Sequence, residues 1–332
     1  MTERKCGIFD RFRCIAGDCP DSCCKEWEVQ VDKASAETYL ALEGTLGDLL
    51  RSVLRPEEEG YAMTIQEGRC PMWRQDGLCR IQAELGEAAL CHTCREFPRL
   101  LHDYGDFRER TLELSCPEAA RLLLTEPYLP MQEENVRAEG EAEYDREAME
   151  VLLATRQRML ELLADESRPV GQSLALGLLY GCQAQSELDC GEMEEFREEA
   201  ALQTISLLAK PGKAEDVTEF FKGLEILTEQ WRGRLERPDS GGWKREHLAL
   251  ARYFVERYWL QAVSDYDLYS RVKLTVISCL TVKLLGGDTV ATAQLYSKEI
   301  ENNMDNLEAL LDAAYTYPAF TDDKLLGMLL EI

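Results

Sequence analysis

The sequence predicts a mainly α protein in two parts: an irregular, Cys-rich, metal-binding N-terminal region followed by an α-helical, bundle-like domain. Three observations carry that expectation. Ten of the thirteen cysteines (Cys6, Cys14, Cys19, Cys23, Cys24, Cys70, Cys79, Cys91, Cys94 and Cys116) fall within the first 116 residues. Beyond the charged run from Glu133 to Glu147, apolar residues recur at three- and four-residue spacing almost throughout. Pro127 and Pro130 mark the break between the two patterns, which sets the expected regions at 1–125 and 126–332. At 332 residues the chain is long enough for two domains of the usual ~100–200 residues.

In the first region, residues 27–32 (Trp27 to Asp32) alternate like a short strand. Residues 36–54 place Leu42, Leu46, Leu49, Leu50 and Val53 at helical spacing, and 80–90 reads as a helix running into Cys91 and Cys94. In the second region helices are expected over 145–164, 192–208, 217–231, 245–263, 268–284, 290–311 and 324–330, several of them separated by Pro-Gly or Gly-Gly signals. Leu248, Ala251, Tyr253, Phe254, Tyr258 and Trp259 make one broad apolar side, the pattern of a stripe facing a core.

Charge narrows the partners. The formal charge is −25, and residues 1–120 carry 15 basic and 23 acidic side chains, so the excess sits mainly in the C-terminal portion. Nucleic-acid binding rests on clustered Lys and Arg, which argues against a phosphate backbone as partner. An acidic surface would suit a basic partner, including a lysine-bearing polypeptide, but composition alone favours simple solubility. The chain opens MTERKC, with charges where a signal peptide would place an apolar run, and no stretch approaches the roughly 18 to 20 apolar residues of a membrane span. The expected location is therefore cytoplasmic, with no membrane partner. In that reducing compartment, clustered cysteines point to metal ligation rather than disulfides.

The spacings are Cys14-x4-Cys19-x3-Cys23-Cys24, then Cys70-x8-Cys79-x11-Cys91-x2-Cys94, then Cys116, and Cys19, Cys70 and Cys116 each precede a proline. Thiolates are soft ligands that suit zinc or an iron–sulfur cluster. Structural zinc commonly uses two paired short-spaced knuckles, whereas Cys91-His-Thr-Cys94 is the single CxxC here; the long, unequal spacings favour a larger cluster fed from separate loops. Cys19-x3-Cys23 begins the radical S-adenosylmethionine spacing, but Glu26 stands at its third position. Cys23 and Cys24, being adjacent, cannot easily both bind one small ion. His92 and His102 stand near the cysteines, and His247 begins a helix as a structural residue; Lys25 and Arg99 flank the cysteine segments as anion ligands or plain surface charges. GxGxxG, P-loop and GxSxG motifs are absent.

Four blocks resemble the flagellin lysine-N-methylase (FliB) family. The first is Cys14-Ile-Ala-Gly-Asp-Cys19-Pro-Asp-Ser-Cys23-Cys24-Lys-Glu-Trp27 with Val29, Val31 and Asp32. The second is Cys70-Pro-Met-Trp, Gly77-Leu-Cys79-Arg-Ile81, Leu85-Gly86, Thr93-Cys94-Arg95 and Phe97-Pro98-Arg99. The third is Leu114-Ser-Cys116-Pro-Glu-Ala-Ala-Arg121, and the fourth is Tyr296-Ser-Lys-Glu-Ile-Glu301 with Asn306 and Leu307. The resemblance implies S-adenosyl-L-methionine-dependent N-methylation of lysine side chains on flagellin or a related protein, in a chain carrying a [4Fe–4S] cluster. It maps the metal ligands onto Cys14, Cys19, Cys23, Cys24, Cys70, Cys79, Cys94 and Cys116, and leaves Cys6 and Cys91 outside the pattern. The family tends to carry His where this chain has Asn302.

Methyl transfer requires a neutral lysine amine, so its pKa must fall or a base must take its proton. Asp32, Glu299 and Glu301 are the candidate acceptors, and neither the catalytic nor the cofactor-binding residues are assigned. Two alternatives stand beside the enzyme: a metal-stabilised protein-interaction module, with zinc or iron–sulfur, and an iron–sulfur electron carrier.

Overall fold

The chain opens on a strand, β1 (Thr2–Lys5), whose partners arrive only after the cysteine-bearing segments. The computed structural model describes residues 1–25, 28–58, 60–136, 140–192 and 194–331; Glu26 and Trp27 of the first cysteine block lie outside them. Helices dominate, so the mainly α expectation holds. The N-terminal region is less irregular than its Gly, Pro and Cys content suggests, because it holds two small sheets.

The first cysteine-bearing stretch leads to β2 (Val29–Val31), α1 (Lys33–Leu40), α2 (Gly44–Val53), β3 (Leu54–Glu57) and β4 (Gly60–Met63). The strands pair antiparallel in the order β2-β4-β3. The helix expected over 36–54 is two helices, for a local reason. Gly44 takes φ +81°, and a Cβ at Gly47 would lie 2.0 Å from the Leu42 oxygen, so the chain turns there instead of continuing. Arg51 Nη1 donates to Leu40 O and Leu42 O at 2.9 and 2.6 Å and ties off the end of α1.

Next come α3 (Arg80–Leu85), α4 (His92–Glu96), β5 (Arg99–Asp103), β6 (Phe107–Leu112), α5 (Pro117–Thr125) and β7 (Gln132–Asn135). The helix expected over 80–90 stops at Gly86 and continues only as a 3-10 turn, Glu87–Ala89. The second sheet runs β5-β6-β1-β7, with β1 parallel to β6 (Thr2 beside Phe107) and antiparallel to β7.

The helical part comprises α6 (Arg146–Ala164), α7 (Val170–Cys190), α8 (Glu198–Leu208), α9 (Ala214–Lys222), α10 (Glu229–Glu236), α11 (Arg245–Tyr258), α12 (Leu268–Leu285), α13 (Thr289–Tyr296), α14 (Met304–Thr316) and α15 (Asp322–Leu329). α7 was not expected, since Gly171, Gly177 and Gly181 weaken its helical signal. They are there for close approach: a Cβ at Gly181 would meet Val272 of α12 at 2.4 Å. The stretch 217–231 divides into α9 and α10, and 290–311 divides around a π-helical turn, Ser297–Glu301, in which the Asn302 N–H donates to Ser297 O at 3.1 Å.

α12 is buried around nearly its whole circumference and is the axis on which α7, α11, α13 and α14 pack. Its cations are satisfied in place: Lys273 Nζ reaches Ala314 O and Phe320 O at 2.9 and 3.0 Å and Asp322 at 2.8 Å. The apolar side expected on 248–259 is buried, as its periodicity required. The main core also takes in Phe107, Leu114, Ala120 and Leu124, and a smaller one around Val29, Val31, Tyr39, Leu50 and Met72 lies against Cys70 and Cys91. Among the described residues no helix is long and apolar enough to cross a membrane.

Candidate functional site

Several thiols of the resemblance sit at the ends of short helical elements, and Cys23, Cys24 and Cys70 lie in the turns and loops between elements. Cys14 lies just before the 3-10 turn Ala16–Asp18, with its sulfur accepting the Ala16 N–H at 3.4 Å, and Cys19 closes that turn. Cys70 N–H donates to Cys24 O at 2.8 Å, which pulls two distant loops together. Cys79 caps the start of α3, Cys91 that of α4 and Cys116 that of α5, while Cys94 lies within α4. Helix starts suit thiolates, because free N–H groups and the dipole favour negative charge.

The thiols act on one another. Cys23 and Cys70 both hydrogen-bond the Cys24 sulfur, and those bonds hold Cys24 well below an ordinary thiol while pushing its two partners up. The Cys70 sulfur also lies 3.2 Å from Met63 Sδ. Cys94 bonds Cys91, which lowers Cys91 and raises Cys94, and Cys94 feels the charges of Cys24 and Cys23. Burial raises Cys79, with smaller contributions from Cys24 and Cys91. Burial likewise pushes Cys116 up to about 11, and Cys19 and Cys14 add to it. Cys23 senses both Cys14 and Cys116, so it joins the two groups. The structure therefore joins Cys23, Cys24 and Cys70 directly, and Cys91 with Cys94, while Cys14, Cys19, Cys79 and Cys116 interact with the other thiols only through charge.

The remaining four stand apart. Cys6, raised to about 12 by burial, packs with Ile8, Phe9 and Phe12 and faces Glu256. Cys279 is buried in α12, and Cys182 and Cys190 lie on α7. Among the described residues no cysteine is disulfide-bonded, and no three His, Cys, Asp or Glu side chains are arranged to hold a single metal ion. The donor chemistry nonetheless fits a thiolate-bound group: Cys23 and Cys70 are hydrogen-bonded to Cys24, as is Cys94 to Cys91, and most of these sulfurs are at least partly withdrawn from solvent.

His92 is exposed at the start of α4; burial lowers His102, whose Nε2 has no partner; and His247 is structural, its Nδ1 3.0 Å from Lys244 N. Lys25 and Arg69 lie 5.2 and 4.2 Å from the Trp73 ring centroid, and Arg99 lies 5.2 Å from that of Phe12.

The proton-acceptor candidates are mostly committed elsewhere. Glu299, buried, accepts from Leu227 N, Thr228 N and Thr228 Oγ1 at 2.8, 2.9 and 2.6 Å and so holds the turn between α9 and α10. Glu301, also buried, takes Tyr253 and Tyr258 hydroxyls at 3.0 and 2.9 Å and Arg257 at 3.1 Å. Both carboxylates are thus engaged by buried partners in the helical part. Asp32 caps α1 through Ser35 N and accepts His92 N–H at 2.8 Å; the His92 bond does most to hold its carboxyl at about 2. It stays ionised and is a poor proton acceptor. It does line a groove of about 700 Å³ with Glu57, Glu58, His92 and Thr93, beside α4. A larger groove of about 1160 Å³ runs along β5 and residues 140–145, and neither groove has a cysteine in its described wall.

One contact links this site to the far end of the chain. Asp21, between Cys19 and Cys23, takes Lys298 Nζ at 2.9 Å and Gln294 Nε2 at 3.2 Å. Burial pushes the Asp21 carboxyl up, but those bonds outweigh it and leave it below the usual carboxylate value. Asp21 and Lys298 both stand inside the sequence blocks quoted above, yet nothing in their spacing reveals that they meet.

The chain is 35% identical over 134 residues to the flagellar biosynthetic protein FliU of Salmonella muenchen, a match covering 38% of this chain and 79% of that protein. The chain belongs to the lysine-N-methylase and FliU family. Within it, the lysine-N-methylases of Salmonella typhimurium and Salmonella choleraesuis are 36% and 35% identical over 134 residues, and the match spans about a third (33%) of the length of each. No protein-family model and no solved structure matches the chain.

Proposed function

We propose that this chain N-methylates lysine side chains of flagellin or a related protein in the cytoplasm, with S-adenosyl-L-methionine as methyl donor and a [4Fe–4S] cluster, or alternatively zinc, held by thiolates. The ligands would be drawn from Cys14, Cys19, Cys23, Cys24, Cys70, Cys79, Cys94 and Cys116. The observation that carries the reading is that thiols from separate segments, Cys23 and Cys70, bond the Cys24 sulfur, with the Cys91–Cys94 pair sensing its charge, in a family member. When bound, the metal group would crosslink the loops and could supply redox or Lewis-acid chemistry.

The chain's own residues suggest how substrate arrives. Asp32, Glu57 and Glu58 line the groove beside α4, and an ionised Asp32 would draw a lysine side chain toward His92 and Thr93, the residues between Cys91 and Cys94. Lysine must lose a proton before its nitrogen can bond the methyl carbon as the sulfonium carbon–sulfur bond breaks. Asp32, held at about 2, is too weak a base to take it, so the proton would leave to hydroxide or a buffer base reaching the open groove, and the neutral thioether departs. We further assign residues 1–125 as the metal-binding unit and 126–332 as the helical unit, with β7 crossing that boundary to pair with β1.

The test starts with iron, sulfide and zinc in anaerobically purified protein, followed by transfer of labelled methyl from S-adenosylmethionine to flagellin. About four irons and four sulfides with methylated lysine support the reading. Stoichiometric zinc without methyl transfer replaces it with the interaction module, and a reversible cluster without methyl transfer replaces it with the electron carrier.

A further inference from the structure

We propose that Gln294 and Lys298 are positioning residues of the thiol site, clamping the 19–24 loop against the loop that carries Cys116. Gln294 Nε2 donates to two acceptors from different segments: Asp21 Oδ2 at 3.2 Å and Ser115 O at 2.7 Å. Lys298 Nζ binds the same Asp21 oxygen at 2.9 Å. Asp21 is two residues from both Cys19 and Cys23, and Ser115 directly precedes Cys116. One face of one helical segment therefore spans two of the loops that deliver sulfur.

The clamp has a rigid base. Gln294 is 9% exposed and the Lys298 side chain 14%, so water competes weakly for either. Gln294 and Lys298 are four residues apart and share a helix face. Lys298 sits in the π-helical turn, whose next residues are tied into the interior, Glu299 to Leu227 and Thr228 and Glu301 to Tyr253, Tyr258 and Arg257. Turns of this kind are rare and gather at functional sites. Here the turn aims a cation from the C-terminal part of the chain at the cysteine loops, so the thiol site is completed only when both parts of the chain fold together. That this positioning serves metal binding rests on the reading above; the loop clamp itself does not.

The experiment uses the full chain, metal-free, and follows alkylation of each cysteine by N-ethylmaleimide with mass spectrometry. In Lys298→Met and Gln294→Leu, Cys19, Cys23 and Cys116 should react about fivefold faster, the scale of one lost hydrogen bond. Cys182 and Cys190 should keep their rates, the melting temperature should hold, and Lys298→Arg should restore slow alkylation. Unchanged rates at Cys19, Cys23 and Cys116, or an equal rise at every cysteine, would overturn the clamp. In parallel, iron-reconstituted protein is challenged with bathophenanthroline, and the variants should release iron faster than wild type. A wild-type chain that takes up neither iron nor zinc removes the metal reading, while the alkylation pattern still decides the clamp.

Discussion

Arg156 of α6 clasps Glu109 of β6 through two parallel hydrogen bonds of 2.8 and 2.6 Å, with 8% and 2% of the two side chains exposed. The pair fastens the helical part to the mixed sheet. Deleting one partner leaves a buried uncompensated charge, so Glu109→Ala should cost about 3–5 kcal/mol in urea unfolding. Replacing both, as Glu109→Leu with Arg156→Met, should recover most of that loss.

Glu256 should make stability depend on pH. Burial raises its carboxyl to about 7 from an ordinary 4.5, despite the Tyr128 hydroxyl at 3.0 Å and the nearby Arg156 and Arg252. Below 4.5 both folded and unfolded states hold the proton. Between 4.5 and 7 the folded state holds more, so stability falls as pH rises through that window, by about 3 kcal/mol at most. Glu256→Gln should lack this component, which unfolding midpoints from pH 4 to 8 would reveal as a flatter profile than wild type.

The crossing of α7 and α12 predicts a sharp steric penalty. Gly181→Ala places a methyl 2.4 Å from Val272 Cγ1, and overpacking of this kind costs about 1–3 kcal/mol. Adding Val272→Ala should relieve part of it, and thermal melts of the single and double variants check both statements.

Metal content should sort the cysteines. Cys94→Ser should strip visible colour and loosen residues 1–125, whereas Cys279→Ser, buried in α12 away from the other thiols, should keep the metal complement. Equal metal content in the two variants removes Cys94 from the ligand set.

Where periodicity was strong, the reading of elements was close. Asp145 caps α6 by accepting Ala148 N–H at 3.1 Å, and α12 ends within a residue of its expected limit. It failed where local signals conflict with packing. Glycines that normally weaken a helix instead let α7 approach Met159 and Val272. β1 and β7 are short and polar, without an apolar alternation, and exist because β6 and β1 offer them free edges.

The candidate site divides in the same way. Cysteine type, number and block pattern are legible in one dimension, because ligand chemistry depends on what the residues are. Which thiols touch depends on backbone contacts such as Cys70 N–H to Cys24 O, between residues far apart in the chain. Glu299 and Glu301 have carboxylates that could serve catalysis on composition alone; only their enclosure by Thr228, Tyr253, Tyr258 and Arg257 makes them structural. Asp21 and Lys298 are likewise two ordinary charges until folding removes them from water and sets them 2.9 Å apart. Residue chemistry is a property of each position, but proximity and desolvation belong to the packed chain, and those decide what each charge and thiol can do.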